Sequence, residues 1–350
     1  MAPELTIAQA SEQWSPEGVY LNTASYGLPP RDGFDAMQAA LDDWRCGRTS
    51  WEHWGDSSER ARAAFAALVG AAPEQVAIGA NISSLMGLIA ASLPDGARVV
   101  IPDVEFTSSL FPFLVQEERG VQVTTVPPAR LADAIDARTD VVAFSAVQMS
   151  TGEVADLDAV VAAARKHGAM TVLDATQACG WLPIEAPRFD AIVCTAYKWL
   201  VSPRGTAFMF VRDERLAAIT PHSAGWYAGE DVHSSYFGPP LRLAHNARRL
   251  DISPAWFSWV GTAPALELIN RIGVDAVYAH DVALANRFRA GLGLEPAGSA
   301  IVSVDMPGGA ERLERAGIVV ALRGGRLRAS WHLYNTDEDV DRALAALTST

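Results

Sequence analysis

Thr171-Val172-Leu173-Asp174-Ala175-Thr176-Gln177 and Ala191-Ile192-Val193-Cys194-Thr195-Ala196-Tyr197-Lys198-Trp199 are the two runs whose reading decides the fold. Each begins as a short apolar segment rich in β-branched residues, which suits a buried strand. Each then ends on a chemically active side chain. A carboxylate closing one buried strand and an amine closing the next is an awkward arrangement for a plain core, because an unpartnered buried charge costs several kcal/mol. Taken alone, the two could be unrelated charges at strand ends.

Working outward, residues 75 to 211 alternate strand and helix at the interval expected of α/β units. Strands are expected at Gln75–Ile78, Arg98–Ile101, Val121–Val126, Val141–Val147, Thr171–Leu173, Ala191–Thr195 and Ala207–Val211. Helices are expected between them at Ser84–Ala91, Phe111–Arg119 and Leu157–His167. Near-continuous Val/Ile/Ala strands predict a mostly parallel sheet covered on both faces. Ligands bind such sheets at the carboxyl ends of the strands, where Asp174 and Lys198 fall. Beyond the sheet, Arg248 to Ile272 reads as a long helix entered through Ser253-Pro254. The remainder alternates as a compact α+β unit, with strands at Ile301–Val304, Ile318–Ala321 and Leu327–Ser330 and helices at Ala310–Ala316 and from Asp337. The expected division is a large domain over 17–250 and a small one from 1–16 plus 260–350, linked by a helix near 253–272.

Composition narrows the function classes. The 350 residues are 49% hydrophobic and 20% charged, ordinary for a globular enzyme, and the net charge of −13 argues against a nucleic-acid partner. Cys46, Cys179 and Cys194 show no CxxC spacing, and the seven histidines show no metal-ligand pattern, so no metal is expected. No run approaches the roughly 18 apolar residues of a membrane span, and a basic-then-apolar leader is lacking; a cytoplasmic protein with no membrane partner is the expectation.

Gly79-Ala80-Asn81-Ile82-Ser83-Ser84 lies between a strand and a helix, where small residues and a helix N-terminus suit an anion. Ser83 or Ser84 could equally be a plain helix cap. A phosphate there, an aldehyde for Lys198 and a pyridine nitrogen for Asp174 together describe pyridoxal 5′-phosphate. Lysine forms a Schiff base with its aldehyde, and the aspartate keeps the ring nitrogen protonated. Thr195 and Tyr197 could give hydroxyls to the same phosphate.

Asp174-x-x-Gln177 and Thr195-x-x-Lys198, with Tyr20-Leu21-Asn22-Thr23-Ala24-Ser25 near the start and Arg328-Ala329-Ser330-Trp331-His332-Leu333-Tyr334-Asn335 near the end, carry a resemblance over nearly the whole chain. The chain resembles the class V aminotransferase family of fold-type I pyridoxal-phosphate enzymes. That family includes cysteine desulfurases, kynureninase, isopenicillin-N epimerase-like proteins and the ergothioneine-pathway C–S lyase. The resemblance implies that Asp174 pairs with the pyridine nitrogen, Gln177 bonds near the ring oxygen, Phe106 stacks on the ring and Gln148 lies beside it. It further implies that Arg328, with Arg323 second, grips a substrate α-carboxylate. Ser253 would reach the phosphate of a neighbouring subunit, which makes the enzyme a homodimer.

Two departures bear on the reaction. Desulfurases carry histidine where Phe106 stands, and phenylalanine cannot shuttle protons. They also carry a persulfide-forming cysteine between the two C-terminal arginines, where this chain has only Gly324-Gly325-Arg326-Leu327. The expected activity is Cα deprotonation of an amino acid followed by β-elimination, as at a C–S bond, with aminotransferase and epimerase chemistry as alternatives and a non-catalytic regulator as the remote one. Trp44, Trp51, His53 and Trp54 form an aromatic cluster expected to pack at an interface or wall the substrate site. His222 is a loop histidine that could line the pocket.

Overall fold

The computed structural model describes residues 4–348. Its strands are Val19–Tyr20 (β1), Val76–Gly79 (β2), Arg98–Pro102 (β3), Gln122–Val126 (β4), Val141–Ser145 (β5) and Met170–Asp174 (β6). Ala191–Thr195 (β7), Ala207–Val211 (β8), Ile301–Val304 (β9), Ile318–Val319 (β10), Ala321–Arg323 (β11) and Arg326–Ser330 (β12) follow. Seven of them form the central sheet in the order β2-β8-β7-β6-β5-β3-β4, with β8 alone running against its neighbours. The mostly parallel α/β sheet read from the sequence is therefore present. Its central strands β5, β7 and β8 are buried at every residue, which is why they read as unbroken apolar runs. β4 at the sheet edge instead exposes Gln122, Thr124 and Thr125.

Helices on the two faces are set by their caps. Asn81 caps the helix Ile82–Ser92 by accepting from Ser84 N at 2.9 Å, so neither Ser83 nor Ser84 is the cap. Asp156 caps Leu157–His167, which ends on basic residues and left-handed Gly168. The helix expected at Phe111–Arg119 begins earlier, at Thr107, and ends at Leu114. A 3-10 turn over Glu117–Arg119 follows and stops at left-handed Gly120.

Arg248 does not begin a long helix. Ala247–Leu250 is a 3-10 turn, the chain then extends, and the helix runs Trp256–Ile272. Pro254 disfavours helical backbone at Ser253. Asp251 is also held in place by Arg62 Nη2 at 2.7 Å and Ile78 N at 2.8 Å, all in the buried interior. A second helix, Val274–Gly291, follows through left-handed Gly273 and was not anticipated.

The C-terminal unit has a three-stranded sheet, β11-β12-β9, and a separate parallel pair, β1 with β10. The strand expected over Ile318–Ala321 is split, because Ile318 and Val319 pair with β1 while Ala321 turns to pair with β12. A domain boundary at Glu17 thus cuts into chain whose first strand pairs with the C-terminal unit. The segment before it also leans on the long helices, with the amides of Glu4 and Leu5 both donating to Arg271 O.

Candidate active site

β6 and β7 are parallel neighbours, with Asp174 level with Val193, so their carboxyl ends open side by side. Asp174 closes β6. β7 stops at Thr195, and a tight turn follows in which Val201 N donates to Lys198 O at 3.1 Å and Ser202 N to Ala196 O at 3.1 Å. Val201 sits at φ 46°, a left-handed backbone that a β-branched residue rarely adopts. Residues held this way cluster at functional sites, at about 1–3 kcal/mol of strain each. Gly27 presses on the same turn: its amide donates to Tyr197 O at 2.9 Å, and a Cβ there would lie 2.0 Å from Lys198 O. The lysine backbone is clamped from two sides.

One cavity at these strand ends is lined by Ile82, Phe106, Asp174, Gln177, Thr195, Tyr197 and Lys198, seven of the residues singled out from sequence. Asp174 is buried; its Oδ2 accepts from Ser109 Oγ at 2.6 Å and its Oδ1 from Thr176 N at 2.9 Å. The Lys198 ammonium lies 5.8 Å from the Phe106 ring centroid and 5.7 Å from that of Tyr197. Burial pushes its pKa down to about 8. Asp174 opposes that shift, and Arg328 and Arg323 add to it. Gln177, which lines the cavity, donates to Ala24 O at 3.0 Å and accepts from Trp199 Nε1 at 2.7 Å. The Ser83 hydroxyl donates to Asn81 Oδ1 at 2.9 Å at the mouth of the helix.

Arg328 rises from β12 and is 1% exposed. Its Nη1 donates to Met149 O at 2.7 Å and its Nη2 to Ser25 Oγ at 2.6 Å, while Nε is buried without a partner. Arg323 Nη2 reaches the same Ser25 Oγ at 3.0 Å. Among the described residues, every hydrogen-bond partner of Arg328 is neutral, so a buried cation stands ready for an anion. Burial and neighbouring Arg323 push it down to about 10, still charged at neutral pH. Met149 also lines the cavity and joins the arginines to it.

Of the other residues singled out from sequence, Gln148 falls elsewhere than expected, while Ser253 and His222 face outward. Gln148 does not line this cavity; its amide donates to Glu105 Oε1 at 2.9 Å. Ser253 is exposed and outside the cavity. His222 is likewise exposed and outside it. Trp51 packs edge-on against Trp226 and Tyr236 and at a tilt against His233 and Trp256, and Trp44 and Trp54 meet Phe257, none of them in the cavity wall. Among the described residues no group of three or more His, Cys, Asp or Glu could hold a metal.

Two participants were missed. Arg204 lines the cavity and lies over the Tyr197 ring at 4.9 Å; the Pro203-Arg204-Gly205 turn right after Lys198 was the available signal. Glu105 is buried behind Phe106, accepting from Ser145 N at 2.8 Å and from Gln148; burial raises its pKa while these bonds oppose the rise. Its place directly before Phe106 hinted at it.

The comparisons agree with this geometry. Residues 45–305 match the aminotransferase class-V family. An uncharacterized aminotransferase, YcbU, of Bacillus subtilis (strain 168) is 28% identical, with 88% of each chain covered. Isopenicillin N epimerase of Streptomyces clavuligerus is 26% identical over 95% of this chain and 96% of its own. Among solved structures, a cystine C–S lyase, C-DES, superposes with TM-score 0.86 at 21% identity, covering 95% of this chain and 97% of that one. The cysteine desulfurase CsdA of Escherichia coli gives 0.83 at 20% identity, covering 98% and 97%. The chain is a pyridoxal-phosphate-dependent enzyme of fold type I. It belongs to the aminotransferase class-V family, and its cofactor is pyridoxal 5′-phosphate.

The residues present fit that group. An amine with a lowered pKa, a buried carboxylate, a flat ring at Phe106 and a helix N-terminus sharing the lining with Arg204 supply its four needs in one cavity. When bound, the cofactor supplies an electron-withdrawing ring that stabilises negative charge at a substrate Cα. Among the described residues no helix is long and apolar enough to cross a membrane.

Proposed function

We propose that this enzyme removes the α-proton of a small amino acid and eliminates the substituent on its Cβ, with sulfur as the leaving atom. Lys198 is the general base, since its lowered pKa leaves a usable fraction of free amine near neutral pH. Asp174 holds the cofactor's ring nitrogen protonated. Phe106, Gln177, Thr195 and Tyr197 hold the ring and phosphate, and the helix start at Ile82 and Ser83 receives the phosphate with Arg204. Gln148 supports them through Glu105. Arg328, seconded by Arg323, binds the α-carboxylate and so orients the Cα–H bond. Phe106 cannot carry a proton, which favours a leaving group that departs as an anion, and a thiolate does so.

The observation that carries this reading over sulfur transfer is the hairpin between the two arginines. β11 and β12 are joined by Gly324 (φ 55°) and Gly325 (φ 77°), a two-residue turn with both central residues left-handed. No cysteine sits there, Cys179 and Cys194 are buried, and burial pushes the Cys194 thiol well up. A relative described as a cystine C–S lyase shares the fold and supports the same direction. The family likeness at Ser253 makes the enzyme a homodimer, and the apolar residues Val104, Phe111 and Val115, left exposed on and beside the helix Thr107–Leu114, support it. Ser253 would then reach the partner's phosphate.

The test is product analysis with cysteine, cystine and other β-substituted amino acids. Elimination yields pyruvate, ammonia and the freed thiol or persulfide. A new amino acid formed only when a 2-oxo acid is added, or the opposite enantiomer recovered without pyruvate, overturns the reading.

A further inference from the structure

His332 and Asp281 are both fully buried, and the reaction as described uses neither. His332 Nδ1 lies 2.7 Å from Asp281 Oδ2, and Nε2 lies 2.9 Å from the carbonyl oxygen of Trp199. A carbonyl only accepts, so Nε2 must carry a proton, and the proton on the other side is shared with the carboxyl group. The peptide carbonyl gripped in this way is the one immediately after Lys198. His332 in turn lies two residues past the end of β12, four residues after Arg328. The imidazole therefore bridges the segment bearing the carboxylate-binding guanidinium and the turn bearing the amine. Trp199 also passes the constraint to Gln177 through its indole N–H.

We propose that His332 is a positioning residue for Lys198, acting through the Trp199 carbonyl, with Asp281 as the group that orients its ring. The bridge sets how far the Lys198 amine stands from Arg328, independently of which bond the enzyme breaks. Asp281 comes from the helix Val274–Gly291, with its second oxygen, Oδ1, left unpartnered, so its charge is directed at the imidazole. The titratable groups facing the pair are His280, whose charge acts on Asp281, and Tyr334, whose ring meets that of His332 edge-on at 5.8 Å. Removing the pair's shared proton forces one ring nitrogen to face an acceptor bare, and one of the two grips is lost.

The test uses His332→Ala, His332→Gln and Asp281→Asn, read in two ways besides turnover. In cofactor-free protein, amide exchange over residues 196–205 should rise roughly tenfold in His332→Ala, the scale of one lost buried hydrogen bond, while β8 stays protected. In holoenzyme, the pH midpoint of the bound-cofactor absorbance should shift in His332→Ala and Asp281→Asn. It should return toward wild type in His332→Gln, whose amide can still donate to Trp199 O. A folded His332→Ala with unchanged exchange and midpoint overturns the proposal. Should that variant not fold, the other two decide: an unshifted Asp281→Asn, or a His332→Gln shifted as far as Asp281→Asn, overturns it as well.

Discussion

Arg328 Nη2 donates to Ser25 Oγ at 2.6 Å, tying a strand of the C-terminal unit to a loop 303 residues earlier in the chain. Ser25 is neutral, and the guanidinium keeps its Nε unpartnered. If an α-carboxylate takes up that charge, Arg328→Lys is not conservative, because a point ammonium cannot replace a planar bidentate fork. Loss of one such charged hydrogen bond costs about 1.5–3 kcal/mol, or roughly a ten- to hundredfold drop in kcat/KM. Arg328→Ala should cost more and Arg323→Ala less. Steady-state kinetics with a carboxylate substrate and its decarboxylated analogue checks this; an equal loss on both would move the carboxylate site elsewhere.

Lys198 should titrate near pH 8 in cofactor-free protein, where burial disfavours its charge. The sign follows directly. Between about 8 and the ordinary lysine value near 10.4 the unfolded chain binds the extra proton, so this group makes stability rise with pH across that window. Below about 8 it costs the folded protein its full penalty. Rates of amine acylation at Lys198, followed by peptide mass spectrometry against pH, should show a midpoint near 8. A midpoint above 10 would contradict the environment described.

Asp174→Asn should retain cofactor yet lose most activity, since an uncharged amide no longer holds the ring nitrogen protonated. Ser109→Ala tests the support beneath it. Deleting a hydrogen bond to a charged group is worth about 1.5–3 kcal/mol, so kcat should fall roughly ten- to hundredfold with cofactor still bound. Normal turnover in the asparagine variant would place the electron-sink control on another residue.

Arg62 and Asp251 form a buried ion pair, Nη2 to Oδ2 at 2.7 Å, with side chains 2% and 0% exposed. Asp251 also receives the Ile78 amide, two residues upstream of the cavity-lining Ala80. Arg62→Met leaves that carboxylate uncompensated and should lower unfolding free energy by about 3–5 kcal/mol. Denaturant titration reads this; a change below about 1 kcal/mol would mean the pair is dispensable.

Replacing Cys46, Cys179 and Cys194 by alanine should leave kcat/KM within about threefold of wild type, because elimination needs no enzyme thiol. Trapping a persulfide on any of the three during turnover would instead return the reaction to sulfur transfer.

Asp174, Gln177, Thr195 and Lys198 were legible because a strand end is a local event. A short β-branched run fixes where the pleat stops, and the next side chain is delivered to the sheet's carboxyl edge. The family likeness carried by the same motifs added Phe106 and Arg328, both of which the fold brings to or beside the cavity. The early start of the helix Thr107–Leu114, which carries Ser109 to Asp174, was not legible. Neither was the break of the expected long helix at Pro254, where a local proline and a remote pair, Arg62 with Asp251, act together.

By itself the sequence determined the mostly parallel sheet and the amine–carboxylate pair at its edge, since each strand and the residue that closes it follow from periodicity over ten residues or fewer, repeated along the chain. Tertiary structure alone decided what surrounds them. Ser25 under Arg328, Glu105 behind Gln148 and Asp281 on His332 join positions 303, 43 and 51 residues apart. Such contacts obey no local period. They exist because packing buries polar groups that must then find partners, and only the folded chain shows which ones they find.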